Sequence, residues 1–263
     1  MFLRSLRFER NGEIPDEYPF SIPVIATLDG IDFRSPVTFF AGENGTGKST
    51  LLEGIAAGVG SVPVRGGDPL TARTLSHANV LATHLTLVWS KKTRHGFFLR
   101  AEDFFEYTKG ISRLMEEMEE TAQEFDARFT GYSRDLATGS VLGQRQALIE
   151  RYGADPNARS HGESFLQFFG ARFTGPGLYL LDEPDTALSP QSVLGLIAML
   201  KQMVGEGAQF IIATHSAMLM AYPGASIVSF DRYPVAEVAY GQVEQIALLR
   251  DFLQNPQAFL RHL

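Results

Sequence analysis

Between residues 42 and 49 the chain reads Gly42-Glu43-Asn44-Gly45-Thr46-Gly47-Lys48-Ser49, followed by Thr50. Two glycines separated by four residues and followed by Lys and a hydroxyl form a phosphate-binding pattern. The glycines let successive backbone N–H groups turn inward around phosphate oxygens. Lys48 brings a flexible cation, and the Ser49 hydroxyl is a hard oxygen donor suited to Mg²⁺. The apolar run Val37-Thr38-Phe39-Phe40-Ala41 precedes the loop, and helical character from Ser49 to Ala57 follows it. A buried strand, a loop and a helix in that order are the context in which this pattern binds phosphate.

A second candidate cluster begins at Leu178-Tyr179-Leu180-Leu181-Asp182-Glu183, where four apolar residues deliver two adjacent acids. A strand of this kind ends at the sheet edge where ligands bind in open α/β folds. Asp182 is suited to a divalent cation. Glu183, facing the other way, is suited to polarising a water for attack on a phosphate. Phe210-Ile211-Ile212-Ala213-Thr214 then ends in His215, which places an imidazole at the same edge, where it could meet a phosphate and the attacking water. Ser160-His161-Gly162-Glu163-Ser164 opens a further apolar helix. Taken alone, Ser160 and Glu163 make a capping box, while the helix N-terminus with Gly162 is also a place for an anion. His77, His84, His95 and His262 show no metal-ligand spacing.

These residues need elements to hold them. Near the N-terminus, Phe2 to Phe8 alternates apolar and polar residues. Phe20 to Leu28 and Ile31 to Phe33 follow around Asp29-Gly30, and together they predict antiparallel strands. Residues 61 to 80 read as loop. Val80 to Trp89 and Gly96 to Ala101 read as strands joined by Lys91-Lys92-Thr93-Arg94-His95, a basic cluster expected as a solvated hairpin tip. From Asp103 to about Asn157 helical spacing takes over, with Ile111, Leu114, Met115, Met118, Phe125 and Phe129 forming one apolar stripe. Eight acids and two bases between 103 and 126 read as the solvated face of that helix. The last third alternates strand, helix and strand, with Ser189 and Pro190 as N-cap and first residue of a helix to Val204. The expectation is an α/β fold over residues 1–263. Its sheet is mostly parallel, with an antiparallel N-terminal portion and a helical insertion at 103–158.

Composition removes whole classes of function. At 263 residues and 44% hydrophobic content the chain can bury a substantial core. The absence of cysteine rules out disulfides, Cys-ligated zinc, iron–sulfur clusters and thiol nucleophiles. A net charge of −7 gives no chain-wide basic field for nucleic acid, so any such binding falls to local patches. The N-terminus lacks the apolar run of a signal peptide and no transmembrane segment is evident, so a cytoplasmic protein is expected.

As an ordered set, the phosphate loop, the Ser-x-Gly-Glu segment, the apolar-Asp-Glu-Pro strand end, Ala187-Leu188-Ser189 and Thr214-His215-Ser216 resemble the ABC-type ATPases, over residues 37 to 216. The resemblance implies ATP and Mg²⁺ as cofactors and ATP hydrolysis to ADP and phosphate. It gives Gly42 to Thr50 to nucleotide binding, Ser49 and Asp182 to the metal, and Lys48, Glu183 and His215 to catalysis. It also implies that Ser160 and Gly162 reach the γ-phosphate held by a second subunit, making an ATP-dependent homodimer that drives a partner protein. The family usually places Gln after the strand entering its helical subdomain; here Glu102, in Leu99-Arg100-Ala101-Glu102, is the candidate metal contact. The usual Asp closing the loop after the acidic pair is Ser189. Glu163 and Ala187-Leu188-Ser189-Pro190 are more similar to the SMC, Rad50 and RecF branch than to transport subunits, and the layout resembles small stand-alone AAA/ABC-type ATPases of bacteria. A transporter's ATP-binding subunit is the alternative. For the adenine, Tyr18 or Phe20 could stack on the base or pack in the core.

Overall fold

The computed structural model describes residues 1–10, 14–61, 71–152, 161–186 and 188–261. Strands β1 (Leu3–Phe8) and β2 (Gly30–Asp32) flank the short helix α1 (Pro23–Ala26). Then come β3 (Val37–Ala41), α2 (Lys48–Val59), α3 (Thr71–Thr83), β4 (Leu85–Trp89) and β5 (Phe98–Arg100). The long helices α4 (Ala101–Arg128) and α5 (Tyr132–Tyr152) and the shorter α6 (His161–Arg172) precede β6 (Leu178–Asp182), α7 (Pro190–Gly205), β7 (Gln209–Ala213), α8 (Ala217–Met220), β8 (Ser226–Ser229), β9 (Ala236–Val238), α9 (Glu244–Gln254) and α10 (Pro256–Leu260).

Six strands form the main sheet in the order β5-β6-β7-β3-β8-β9, parallel except for β9, and β2-β1-β4 form a separate antiparallel sheet. The central strands VTFFA, LYLLD and QFIIA are buried along their whole length, as expected where helices cover both faces. Their period of two divides the core. Val37, Phe39, Tyr179, Leu181, Phe210 and Ile212 face one cluster, which contains Phe104, Phe165 and Leu196. Phe40, Leu178, Leu180, Ile211 and Ala213 face another, which contains Leu51, Leu52 and Ile55 of α2 and the β1 side chains Leu3 and Leu6. The β1 end is fastened by Gln209, whose fully buried amide accepts from the N–H groups of Phe2 and Leu3 and donates to the Leu3 carbonyl. A buried amide is tolerated there because all its contacts are satisfied.

Three local expectations are corrected. Phe20 to Leu28 is not a strand: Pro23 supplies the fixed φ of a first helical residue, α1 forms, and Val24 and Ile25 are both buried where a strand would turn one outward. The helix α3 occupies residues expected as loop, and β4 starts at Leu85 instead of Val80. Ala78 and Leu81, three apart, form the buried face of α3, and Leu81 packs so tightly on α2 that a Cβ on Gly54 would lie 2.7 Å from its Cδ2. Finally, Lys91 to His95 is no hairpin tip, because β4 and β5 belong to different sheets and the segment crosses between them. The Ser189 cap is as expected, accepting from the Ser192 N–H at 3.2 Å ahead of Pro190. Ser160, and with it the Ser160–Glu163 capping box, lies outside the described residues, as do Ala187 and His262.

Candidate functional site

The loop after β3 turns on three glycines with left-handed or otherwise positive φ, Gly42 at 152°, Gly45 at 80° and Gly47 at 98°. Gly47 is the N-cap of α2, and a Cβ there would lie 2.9 Å from Ile22 Cγ2, so both its conformation and its contact exclude a side chain. The loop is held from outside by Asp231, just beyond β8, whose Oδ1 accepts from the Glu43 N–H at 2.8 Å. Thr46 Oγ1 donates to the Glu43 carbonyl at 2.9 Å. Lys48 is only 4% exposed and donates to the carbonyls of Gly42 and Glu43 at 2.7 Å each. An ammonium has three donors, which leaves one for a phosphate oxygen. Burial pulls the Lys48 pKa down, while Glu183, Asp231 and Asp182 oppose that shift.

Across the loop, Ser49 Oγ donates to Asp182 Oδ1 at 3.0 Å. Burial pushes the Asp182 carboxyl up to about 6 against the Ser49 hydrogen bond, and Glu183 raises it further. The alternation along β6 places Asp182 on the α2 side with Leu178 and Leu180. These two hard oxygens fit a small divalent cation: a separation of 3.0 Å is that of adjacent donors in an octahedral shell of about 2.1 Å radius, and such a cation takes few protein ligands beside substrate phosphates. The two line a cleft of ≈ 170 Å³ together with Glu53, Arg100, Ala101, Glu102 and Glu183. Glu102 borders it from the first turn of α4 and is solvent-exposed.

Glu183 is the one non-glycine residue with positive φ among the described residues, at 50°, a conformation that costs a side-chain-bearing residue roughly 1–2 kcal/mol. Its N–H is tied to the Ala213 carbonyl at 2.8 Å, and Thr186 Oγ1 donates to its Oε2 at 3.2 Å. The other oxygen, Oε1, stands 3.7 Å from His215 Nε2, a buried nitrogen with no hydrogen-bond partner among the described residues. Both are within reach of a single water or phosphate oxygen. The opposite ring nitrogen, Nδ1, lies 3.3 Å from Gln245 Oε1, and Gln245 Nε2 donates to the His215 carbonyl. Thr214, one residue earlier, hydrogen-bonds Asp185 and accepts from the Ser216 N–H, which links the loops after β6 and β7.

The strand ends thus bring Lys48, Ser49, Asp182, Glu183 and His215 to one edge. Gly162 begins α6 in the second residue of that helix. Of the two aromatic candidates, Phe20 is core, stacked edge-on against His84 and Phe8. Tyr18 is half-exposed beside α2, with its hydroxyl 3.3 Å from Thr50 Oγ1 and its ring edge-on to His77.

A family model described as "AAA domain" matches residues 24–130, and a second, described as "AAA domain, putative AbiEii toxin, Type IV TA system", matches 157–221. The first spans the phosphate loop and the second the Asp182-Glu183 and His215 strand ends. The chain is a P-loop ATPase of the AAA/ABC type. This ATPase is 24% identical over 233 residues to the macrolide export ATP-binding/permease protein MacB of Rhodopseudomonas palustris (strain BisB18), covering 86% of the chain and 33% of that protein. It is 26% identical to the hemin import ATP-binding protein HmuV of Rhodopseudomonas palustris (strain BisB5), covering 77% of the chain and 74% of HmuV. The chain therefore spans a third of the first relative and most of the second. The ATPase fold matches the Smc head domain of Pyrococcus furiosus at a TM-score of 0.50 and 13% identity, over 96% of this chain and 99% of that one. An ATP-binding cassette of an ABC transporter matches at 0.50 and 15%, over 100% and 99%.

Sequence reasoning passed over Asp231, Glu53, Arg100 and Gln245. Asp231 had the same signal as Asp182, an acid ending an apolar strand, and Glu53 lies one helical turn from Ser49. Gln245 carried no local signal, because its role depends on how α9 folds back.

Proposed function

We propose that the chain binds ATP with Mg²⁺ at the phosphate loop, hydrolyses it, and does so in the cytoplasm as a homodimer bridged by two ATP molecules and coupled to a protein partner, in the manner of SMC-like ATPases. Ser49 and Asp182 hold Mg²⁺, with Glu102 at the cleft margin as a further oxygen. The cation, when bound, neutralises charge developing on the phosphates. The backbone of residues 42–50 cradles the β-phosphate, and Lys48 supplies the cation facing the γ-phosphate. Glu183 accepts the proton of the attacking water as His215, oriented by Gln245, holds the γ-phosphate side of that water. Ser160 and Gly162 of the opposite chain close over the γ-phosphate. Residues 1–263 act as one ATPase domain, from which 103–158 projects as a helical insertion.

The observation that carries this reading is the 3.0 Å contact of Ser49 with Asp182, with Glu183 and His215 facing each other beside it. It is tested with Glu183→Gln, which keeps shape and loses the base. Saturating ATP–Mg²⁺ should convert that variant to dimer in light scattering after size exclusion, ADP should not, and Ser160→Arg added to it should block dimerisation. A variant that stays monomeric with ATP–Mg²⁺ removes the bridged dimer.

The second reading, a membrane transporter's ATP-binding subunit, is favoured by the match to HmuV over most of both chains. No helix among the described residues is long and apolar enough to cross a membrane, so in this reading the membrane-spanning part lies outside them. Co-purification with an integral membrane protein supports it; Glu163, where transport subunits usually carry Gln, and Glu102, where the family usually does, favour the first.

A further inference from the structure

The cleft beside Ser49 and Asp182 contains a cation that the scheme above does not use. Arg100, the last residue of β5, pairs in register with Asp182 of β6. Along β5, Phe98 faces the α2 side and Leu99 the opposite cluster, so Arg100 faces α2 again, on the same side as Asp182. Its Nη2 lies 2.6 Å from Glu53 Oε1, with the two side chains only 14% and 10% exposed. Glu53 follows Ser49 by one helical turn and shares its face of α2. The guanidinium is not saturated: Nε is buried and has no hydrogen-bond partner among the described residues. A guanidinium offers five N–H donors in a rigid fork that matches phosphate oxygens. Arg145 and Arg172 carry buried Nε atoms of the same kind, but Arg100 is the one of the three that lines the cleft beside Ser49 and Asp182, where its spare donors can meet phosphate.

We propose that Arg100 contacts the terminal phosphate of the bound nucleotide and makes the site discriminate triphosphate from diphosphate, with Glu53 as the positioning residue that holds the guanidinium at the cleft and competes with phosphate for it. This rests on the phosphate-loop reading. It differs from the expectation of a neutral amide or of Glu102 at this place in the fold. Glu102 is exposed on the first turn of α4, while Arg100 is the side chain the sheet directs to the metal side. The cation also accounts for how Ser49, Asp182, Glu53, Glu102 and Glu183 can line so small a cleft when four of the five are carboxylates.

The test is the ratio of ATP to ADP affinity, measured by calorimetry with Mg²⁺ in the Glu183→Gln background so that ATP survives. The parent should prefer ATP. Arg100→Gln should lower that preference by about tenfold through loss of ATP affinity, with ADP affinity within about threefold, as expected for one charge-assisted phosphate contact. The double variant Glu53→Gln/Arg100→Gln keeps a hydrogen-bonding pair without a buried unpaired charge, so it guards against misfolding, and should show the same drop. Glu53→Gln alone should keep or raise the preference, because the competing charge is gone. A merely structural ion pair would weaken both nucleotides alike in all three. If Arg100→Gln, alone or combined with Glu53→Gln, weakens ATP and ADP equally or keeps the parent's preference, the proposal alone is overturned. A parent that binds neither nucleotide overturns the phosphate-loop reading and this proposal with it.

Discussion

Ser49 and Asp182, 133 positions apart in sequence, meet through a 3.0 Å hydrogen bond between the first turn of α2 and the end of β6. The register explains it: β6 and β3 both pair with β7 in parallel, so their C-terminal ends align at one edge. If these two oxygens form the metal site, Ser49→Ala and Asp182→Asn should each raise the Mg²⁺ concentration needed for half-maximal ATP retention by at least about tenfold, the effect of one lost charge-assisted contact. ATP affinity measured in EDTA should change little. An equal loss with and without metal would place the two residues outside metal binding.

Lys48→Ala should reduce ATP affinity by about a hundredfold or more, since a buried cation facing several phosphate charges is removed while the backbone cradle remains. Equilibrium dialysis reads this directly. Affinity within a few-fold of wild type would refute the assignment of the loop. Its thermal midpoint should move by only a few degrees, because Lys48 hydrogen-bonds two loop carbonyls that water can satisfy at the cleft.

Glu53 gives a pH dependence with a defined sign. Burial raises its carboxyl to about 7, with Arg100 opposing. The folded protein therefore holds the proton more tightly than the unfolded chain does. The stability from this group is full below the ordinary glutamate value of 4.5 and is lost as pH rises through about 7. Asp182, raised to about 6, acts in the same direction. The nucleotide-free protein should lose roughly 1–3 kcal/mol between pH 5 and 8, a fall of several degrees in thermal midpoint. Glu53→Gln should flatten that slope. A slope unchanged by Glu53→Gln would remove Glu53 as its source.

The strands and the glycine loop at their edge were legible because their signals are local. A fully buried parallel strand is written as an uninterrupted apolar run, and Gly42 to Ser49 carries its own geometry. The helix α3 was not legible, since its apolar positions make sense only against Leu51, Leu52 and Gly54 of α2. Phe20 to Leu28 was misread because an apolar segment opened by Pro23 satisfies both strand and helix patterns until its partner is known. The Arg100–Glu53 pair joins two residues 47 positions apart, each an ordinary surface charge by type; only the facing of β5 and α2 buries them. Asp231 carried a signal that was not used.

The central claim is that Glu183 activates the water that attacks ATP bound in this loop. Single-turnover hydrolysis by Glu183→Gln tests it most directly, with ATP affinity measured in parallel. The variant should bind ATP within about threefold of wild type while hydrolysing it about 10²- to 10⁴-fold more slowly, so that unhydrolysed ATP accumulates on the protein. Turnover within about tenfold of wild type, with the same ATP affinity, would contradict the account.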